Sequence, residues 1–372
     1  MKRIALLYGG KSGEHEVSLD SAASILRHLD RASWEPILIG IDHEGLWWLQ
    51  PPEARATALA ETGPLRIEKG CPVLVLPGGG VEAGLATNSS GLLAPLACDL
   101  VFPVLHGTFG EDGTIQGLVE CAELPCVGAP VLGSALGMDK EKAKLIWMQR
   151  GLPVVPFIAR KRAELERQAG EAGLRQELEA SFGYPAFVKP ASAGSSVGAS
   201  KVEGPGELAN ALRAALAWDD KVLIEPFVSA REIECSVLGN GSFEAFSPGE
   251  IVPSHEFYDY EAKYLDPNGA LLCVPANLPE EQTARVRELA VAACEALDIA
   301  GMARVDFFIE RATGRILLNE LNTIPGFTAI SMFPMMCEAG GLAYSKLISR
   351  LAELAIDRCE ARKRLRYSFR EV

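Results

Sequence analysis

ARVDFFIERATGRILLNELN, residues 303–322, is the stretch on which the fold class turns. Two strongly apolar runs, 303–310 and 315–322, flank the turn dipeptide Thr313-Gly314, so the segment is expected to fold back on itself as a β-hairpin. Asp306 lies on the first strand; Glu320 and Asn322 lie on the second and share a face, because strand side chains alternate. Burying two carboxylates among Val, Phe, Ile and Leu is costly unless a cation meets them. Two anionic oxygens and one amide oxygen held rigidly suit a hard cation such as Mg²⁺, with phosphate completing its shell. The plainer reading makes them ordinary exposed strand residues, and the apolar runs around them speak against it.

Upstream, PAFVKP (185–190) reads as a strand that ends in Lys189 and runs into a Gly/Ser loop, Ala191 to Gly198, before VGASKV, expected to be a strand. Glycines let backbone N–H groups approach an anion, and serine hydroxyls add donors, so this loop suits a flap over phosphates. Gly194-Ser195-Ser196-Val197-Gly198 also matches G-x-S-x-G, but a nucleophile elbow needs a helix after the turn, where a strand is expected here. At the other end of the chain, IALLYGG (4–10), a helix from Ser18 to Leu29 and WEPILIGID (34–42) make a β-α-β start, which predicts a parallel sheet. Gly9-Gly10-Lys11-Ser12 is a near miss to the P-loop: the first required glycine is Ala5, and acidic residues follow where phosphates belong. Glu14 there suits a substrate ammonium or, equally, a helix start favoured by the macrodipole. DLVFPVLHG (99–107) is a further strand with His106 at its carboxyl end, where ligands sit in open α/β sheets.

A helix from Met138 to Gly151 carries Lys140 and Lys144 on one face, which alone reads as a solvated face. REIECSVLGNGSFEAF is a hairpin with Asn240-Gly241 at its turn, and a last helix spans about Leu342 to Ala361. Residues 45–97 read as surface loops or an excursion from the sheet, and EFYDYEAKY (256–264) as a loop rich in tyrosine and charge.

The length of 372 residues predicts two or three domains. A net charge of −13 opposes nucleic acid and anionic membranes, so any anionic ligand must meet a local cluster of Lys and Arg. Nine scattered cysteines with no C-x-x-C pair signal neither a disulfide framework nor a zinc site, and fit a reducing compartment. The apolar run in MKRIALLYGG is too short for a signal-peptide core, and no stretch approaches a membrane span; a cytoplasmic location is expected.

Together, GGKSGEHEVSLDS, LHGTFGEDGTIQG, MDKEKAK, VKPASAGSSVG, EFYDYEAKY, ARVDFFIE and NELNTIPGFT resemble the D-alanine–D-alanine ligase family of ATP-grasp enzymes, from residue 4 to about 345. The resemblance implies an α/β, three-domain ATP-grasp fold. A Rossmann-like parallel-sheet domain (1–135) would precede two α+β domains (136–222 and 223–372) that sandwich ATP. It implies ligation of two D-alanine molecules through an acylphosphate for peptidoglycan synthesis, with two Mg²⁺ ions (Mn²⁺ able to substitute), as a homodimer. Lys144, Lys189 and Ser196 would bind ATP phosphates. Glu225, Phe227 and Val228 would meet the adenine, and Glu232 the ribose. Asp306, Glu320 and Asn322 would hold the metals. Glu14 would bind the first ammonium, and Lys263 and Ser331 the second carboxylate. Arg304 and the Gly326 N–H would stabilise the oxyanion, Ser195 and Tyr264 would hydrogen-bond across the closed site toward Glu14, and His106 would support the substrates. Relatives that make an ester lack the tyrosine-rich lid, so its presence favours the dipeptide over D-alanyl-D-lactate, while a D-serine product and a noncatalytic nucleotide sensor are the competing readings.

Overall fold

The computed structural model describes residues 1–60, 63–167, 170–253, 269–328 and 330–367. Its strands form three sheets. In the first, Lys2–Gly9 lies between Trp34–Ile41 and Leu100–Val104, parallel to both. Ile4 to Tyr8 are completely buried, as expected of a central strand covered on both faces. The helix His15–His28 packs Ala22, Ala23, Ile25 and Leu26 on one of those faces.

The parallel portion stops at these three strands. Residues 45–97, expected as loops or an excursion, instead extend the same sheet with four antiparallel strands, Trp47–Leu49, Cys71–Val75, Leu85–Ser89 and Leu92–Pro95. They are short and only Val73, Leu85 and Ala86 in them are buried, and Leu92–Pro95 is exposed throughout. Strands at the edge of a sheet need no two-sided apolar run, so they leave little pattern in sequence.

The second sheet is antiparallel, in the order Ser200–Val202, Ala186–Pro190, Lys221–Pro226, Ile158–Lys161. Leu174 and Leu178 of the helix Gly170–Ser181, and Leu208, Ala211 and Leu212 of the helix Leu208–Leu216, seal it. The strand expected from Val197 begins only at Ser200. Ser195 and Ser196 sit at φ +51° and +58°, so the loop stays coiled through Ala199.

The third sheet runs Ala270–Cys273, Gly249–Pro253, Ala230–Gly239, Gly301–Glu310, Ile316–Asn322, with Phe243–Ala245 paired to Ala230–Gly239. The last two strands are the predicted hairpin. Val305, Phe307 and Ile309 are buried in the same core as Val286, Leu289 and Ala293 of the helix Glu280–Ala296, and the alternate residues face the other way. Asp306 is paired with Glu320 and Arg304 with Asn322, but Phe307 is paired with Leu318, so Asn319 is an unopposed bulge residue. The bulge keeps both Leu318 and Leu321 in that core and turns both Asn319 and Glu320 away from it.

The final helix, Tyr344–Lys363, joins the first sheet to the third: Leu347, Ile348, Leu351 and Ala352 share one core with Ile4, Leu6 and Phe102 and with Leu238 and Met302. Trp34 Nε1 donates to Ser349 Oγ at 3.2 Å across the same junction. All nine cysteines are free thiols, and five are buried. Among the described residues no helix is long and apolar enough to cross a membrane. Because Leu347 is fully buried in this joint core, Leu347→Ala is expected to cost about 2–5 kcal/mol, read as a lower urea midpoint with an unchanged slope.

Candidate active site

The helix Lys140–Gln149 starts at Asp139, whose side chain accepts from Lys142 N at 3.1 Å. It aims Lys144 inward. The solvated-face reading of Lys144 fails, since the residue is 0% exposed. Glu225, on the strand Lys221–Pro226, places one carboxylate oxygen 2.9 Å from Lys144 Nζ and the other 2.7 Å from Lys189 Nζ. Burial pushes the Lys144 ammonium down to about 8, with the charge of Glu225 opposing. Burial disfavours the Glu225 carboxylate, but the two lysines outweigh it and hold it below its ordinary value. Lys144 Nζ meets Glu225 off the hydrogen-bonding direction and has no directional acceptor among the described residues. A buried ammonium left with donors to spare suits an incoming anion. Lys189 also donates to the bulge residue Asn319, Nζ to Oδ1 at 3.2 Å, which ties the second sheet to the hairpin of the third.

On the hairpin, Arg304 forks onto Asp306, Nε to Oδ1 at 2.8 Å and Nη2 to Oδ2 at 2.7 Å, and lies 3.0 Å from Glu234. Burial disfavours this guanidinium, yet Asp306 and Glu234 hold its pKa far above the ordinary arginine value. Asn322 Nδ2 donates to Asp306 Oδ2 at 2.9 Å. That turns the amide so that Asn322 Oδ1 faces away from Asp306, whose Oδ2 accepts from both Arg304 and Asn322. Glu320 sits 3.3 Å from Lys140 Nζ. An all-oxygen donor set of this kind fits a hard divalent cation.

Glu14 stands at the start of the first helix, across the cleft. Ser195 of the Gly/Ser loop donates to its carboxylate. A Cβ at Gly107 would lie 2.5 Å from Glu14 Oε2, and one at Gly194 2.9 Å from it, so only glycine at both positions admits the carboxylate. His106 Nδ1 donates to the Ile324 carbonyl at 3.0 Å, which leaves Nε2 to accept from Ser21 Oγ at 3.1 Å. Burial holds this ring below its ordinary pKa, so it serves as a neutral strut. Glu111 accepts from Gly107 N and Ile324 N and thereby joins the loop after the strand Leu100–Val104 to the chain that follows the hairpin. Burial, then the charge of Glu14, pushes its carboxyl up to about 8. Gly326 packs against Ser331, whose Oγ accepts from Thr328 N at 3.0 Å and bonds Thr328 Oγ1 at 2.8 Å.

On the second sheet and the chain that leaves it, Phe187 and Phe227 stack at 6.1 Å, with Lys201 Nζ 4.6 Å from the Phe227 ring centre. Phe227 N donates to Pro185 O, and Val228 follows, half-buried. Glu232 lies on the strand Ala230–Gly239 on the same face as Glu234. Lys263 and Tyr264 lie outside the described residues.

Four residues that pattern reading did not single out as site residues belong to this constellation. Lys140 donates to Ala193 O of the Gly/Ser loop at 2.7 Å while pairing with Glu320. Its spacing from Lys144 was the only signal for it in sequence. Glu111 and Asn319 lie within the motif blocks but gave no sign of their role, and Glu234 carries no signal, because each depends on a partner far along the chain. Lys140, Glu111, Ala193, Gly194, Glu320 and Asn322 line one cleft.

Sheets of this order, closing on such a cleft, make the chain an ATP-grasp ligase. Residues 3–129 match the family model described as "D-ala D-ala ligase N-terminus", and residues 146–353 match "D-ala D-ala ligase C-terminus". The chain is 51% identical to the D-alanine–D-alanine ligase of Treponema denticola over 98% of both chains. It is similar in structure to the D-alanine-D-alanine ligase from Coxiella burnetii, with a TM-score of 0.83 and 36% identity over 97% of this chain and 96% of that one. It is also similar to the VanG D-Ala:D-Ser ligase from Enterococcus faecalis, with a TM-score of 0.81 and 36% identity over 95% and 99%. The chain belongs to the D-alanine–D-alanine ligase family.

The Lys144–Glu225–Lys189 bridge carries a stability prediction. Glu225→Ala leaves a fully buried ammonium unpaired and is expected to destabilise the fold by about 3–5 kcal/mol. Lys144→Met combined with Glu225→Gln, which removes the buried ion pair but keeps an acceptor for Lys189, is expected to recover most of that loss. Urea unfolding of the two variants checks both.

Proposed function

We propose that this chain uses ATP to join two D-alanine molecules into D-alanyl-D-alanine, supplying a peptidoglycan precursor. The observation that carries the reading is the Ser195–Glu14 hydrogen bond, which closes the Gly/Ser loop over a cleft lined by Glu320 and Asn322. A relative 51% identical is named for D-alanine, whereas the neighbour named for D-serine is 36% identical, which favours the dipeptide of D-alanine.

A carboxylate is a poor acyl donor, so the carboxylate of the first D-alanine takes the γ-phosphoryl group of ATP. Phosphoryl transfer asks mostly for positioning and charge stabilisation. Lys144 and Lys189 hold the phosphates, with Ser196 covering them from the loop. Asp306, Glu320 and Asn322 would hold two Mg²⁺ ions, with Mn²⁺ able to substitute, to neutralise charge on the transferring group. Phe227, Val228 and the backbone of Glu225 meet the adenine, the Glu225 side chain being engaged by the lysines; Glu232 meets the ribose. Glu14 binds the first ammonium, and Ser195 orients it. The amine of the second D-alanine, its carboxylate held by Lys263 and Ser331, then attacks the acylphosphate. The oxyanion forms against Arg304 and the Gly326 N–H, and phosphate leaves. Water would destroy the acylphosphate, so the segment carrying Tyr264 serves as the lid. His106 positions the substrates through Ser21 and Ile324. We read each sheet as the centre of one domain, and the protein as a cytoplasmic homodimer.

ADP and phosphate release that requires D-alanine and yields the dipeptide tests the activity; release that is equally fast without any amino acid overturns it. Asp306→Asn and Glu320→Gln are each expected to lower turnover by about a hundredfold or more with unchanged circular dichroism. Near-normal turnover in either variant refutes the metal assignment. Bound phosphates raise the pKa of Lys144 above the value of about 8 that burial imposes on the free site. Nucleotide affinity is therefore expected to be constant up to that pH and to fall above it, with proton uptake on binding. Calorimetry in buffers of different ionisation enthalpy reads this, and Lys144→Met should abolish the uptake.

A further inference from the structure

We propose that His15, Glu16 and His43 form a second metal site, for a borderline dication of the Zn²⁺ class, apart from the magnesium hairpin and independent of it. His15 opens the first helix and is 6% exposed; Glu16 and His43 are exposed. One ligand atom from each of the three lies within 4.8 Å of the others.

Three features make this more than a chance meeting. His15 Nδ1 is 2.7 Å from the Gly10 carbonyl, which can only accept, so the neutral ring carries its proton on Nδ1 and presents the Nε2 lone pair. A carbonyl behind the distal ring nitrogen is the usual support of a ligating histidine, fixing its tautomer and its orientation. His43 lies against His15 with ring centres 3.8 Å apart and planes at 25°, close enough that a turn of the exposed His43 ring out of the stack brings its in-plane lone pair toward the same ion. The turn that carries His43 is stapled from beneath by buried Asp42. That carboxylate accepts from Glu44 N at 3.1 Å, Leu46 N at 2.9 Å and Trp48 Nε1 at 2.9 Å, and Lys69 Nζ lies 3.1 Å from it. The buried imidazole is thus fixed, the second histidine sits on a rigid turn, and the exposed side chains of His43 and Glu16 have room to close onto an ion.

The donor chemistry selects the ion. Two imidazoles and one carboxylate suit Zn²⁺ and its neighbours, with water in the fourth position, and do not suit Mg²⁺, which prefers oxygen. The hairpin of Asp306, Glu320 and Asn322 has the opposite preference, so the two sites sort the two kinds of cation. An ion held by His15 would be anchored one residue from Glu14, at the turn that aims that carboxylate into the cleft.

Equilibrium dialysis of the full chain with Zn²⁺ in excess Mg²⁺ tests the proposal. The wild type is expected to bind one more Zn²⁺ per chain than His43→Ala, and Glu16→Gln to bind it at least about tenfold more weakly than the wild type. His43 lies outside the catalytic machinery, so His43→Ala should keep its full turnover with Mg²⁺, which separates this site from the ligase reading. Co²⁺ as a probe should give a spectrum without thiolate charge transfer that is lost in His43→Ala. Equal Zn²⁺ stoichiometry and affinity in wild type and His43→Ala, or a Co²⁺ spectrum with thiolate bands that persist in that variant, overturns it.

Discussion

One carboxylate governs the arrangement of the cleft. Glu225 lies between Lys144 and Lys189, two lysines that would otherwise repel each other in a place where water does not reach. Without that bridge the helix Lys140–Gln149 could not turn a charged face inward against the second sheet, because an unpaired buried ammonium is too costly. With it, a fully buried ammonium and a partly buried one stand side by side, held in place by one carboxylate. Such a site stabilises developing negative charge without first reorganising.

The same logic recurs around the cleft. Arg304 covers Asp306, Lys140 covers Glu320, and Ser195 covers Glu14. Each of these three carboxylates is met by a neighbour of matching character. Two of these pairs join distant parts of the chain, Lys140 to the hairpin and Ser195 to the start of the first helix, so they also tie the sheets together. Lys140, tied at once to Ala193 of the Gly/Ser loop and to Glu320 of the hairpin, and Glu111, which grips Gly107 and Ile324, do this most directly.

Space imposes the other constraint. Glu14 fits only because Gly107 and Gly194, one from each side of the cleft, lack a Cβ. The left-handed backbone of Ser195 and Ser196 keeps the loop from continuing as a strand and brings the Ser195 hydroxyl down onto that carboxylate.

Local pattern was enough for the hairpin of residues 303–322, the three central parallel strands and the lysine-to-glycine loop, because apolar periodicity and turn residues act over a few neighbours. The motifs likewise named Asp306, Glu320, Asn322, Lys144, Lys189 and Glu14 as a group. Pattern missed the four antiparallel strands between Trp47 and Pro95, which are three to five residues long and mix buried with exposed side chains. It could not say that Lys144 is buried, since burial there rests on Glu225, 81 residues away, nor that a bulge at Asn319 turns two consecutive side chains toward the cleft. Charge compensation and sheet register are long-range properties, decided only when distant segments pack, and so they belong to the tertiary structure alone.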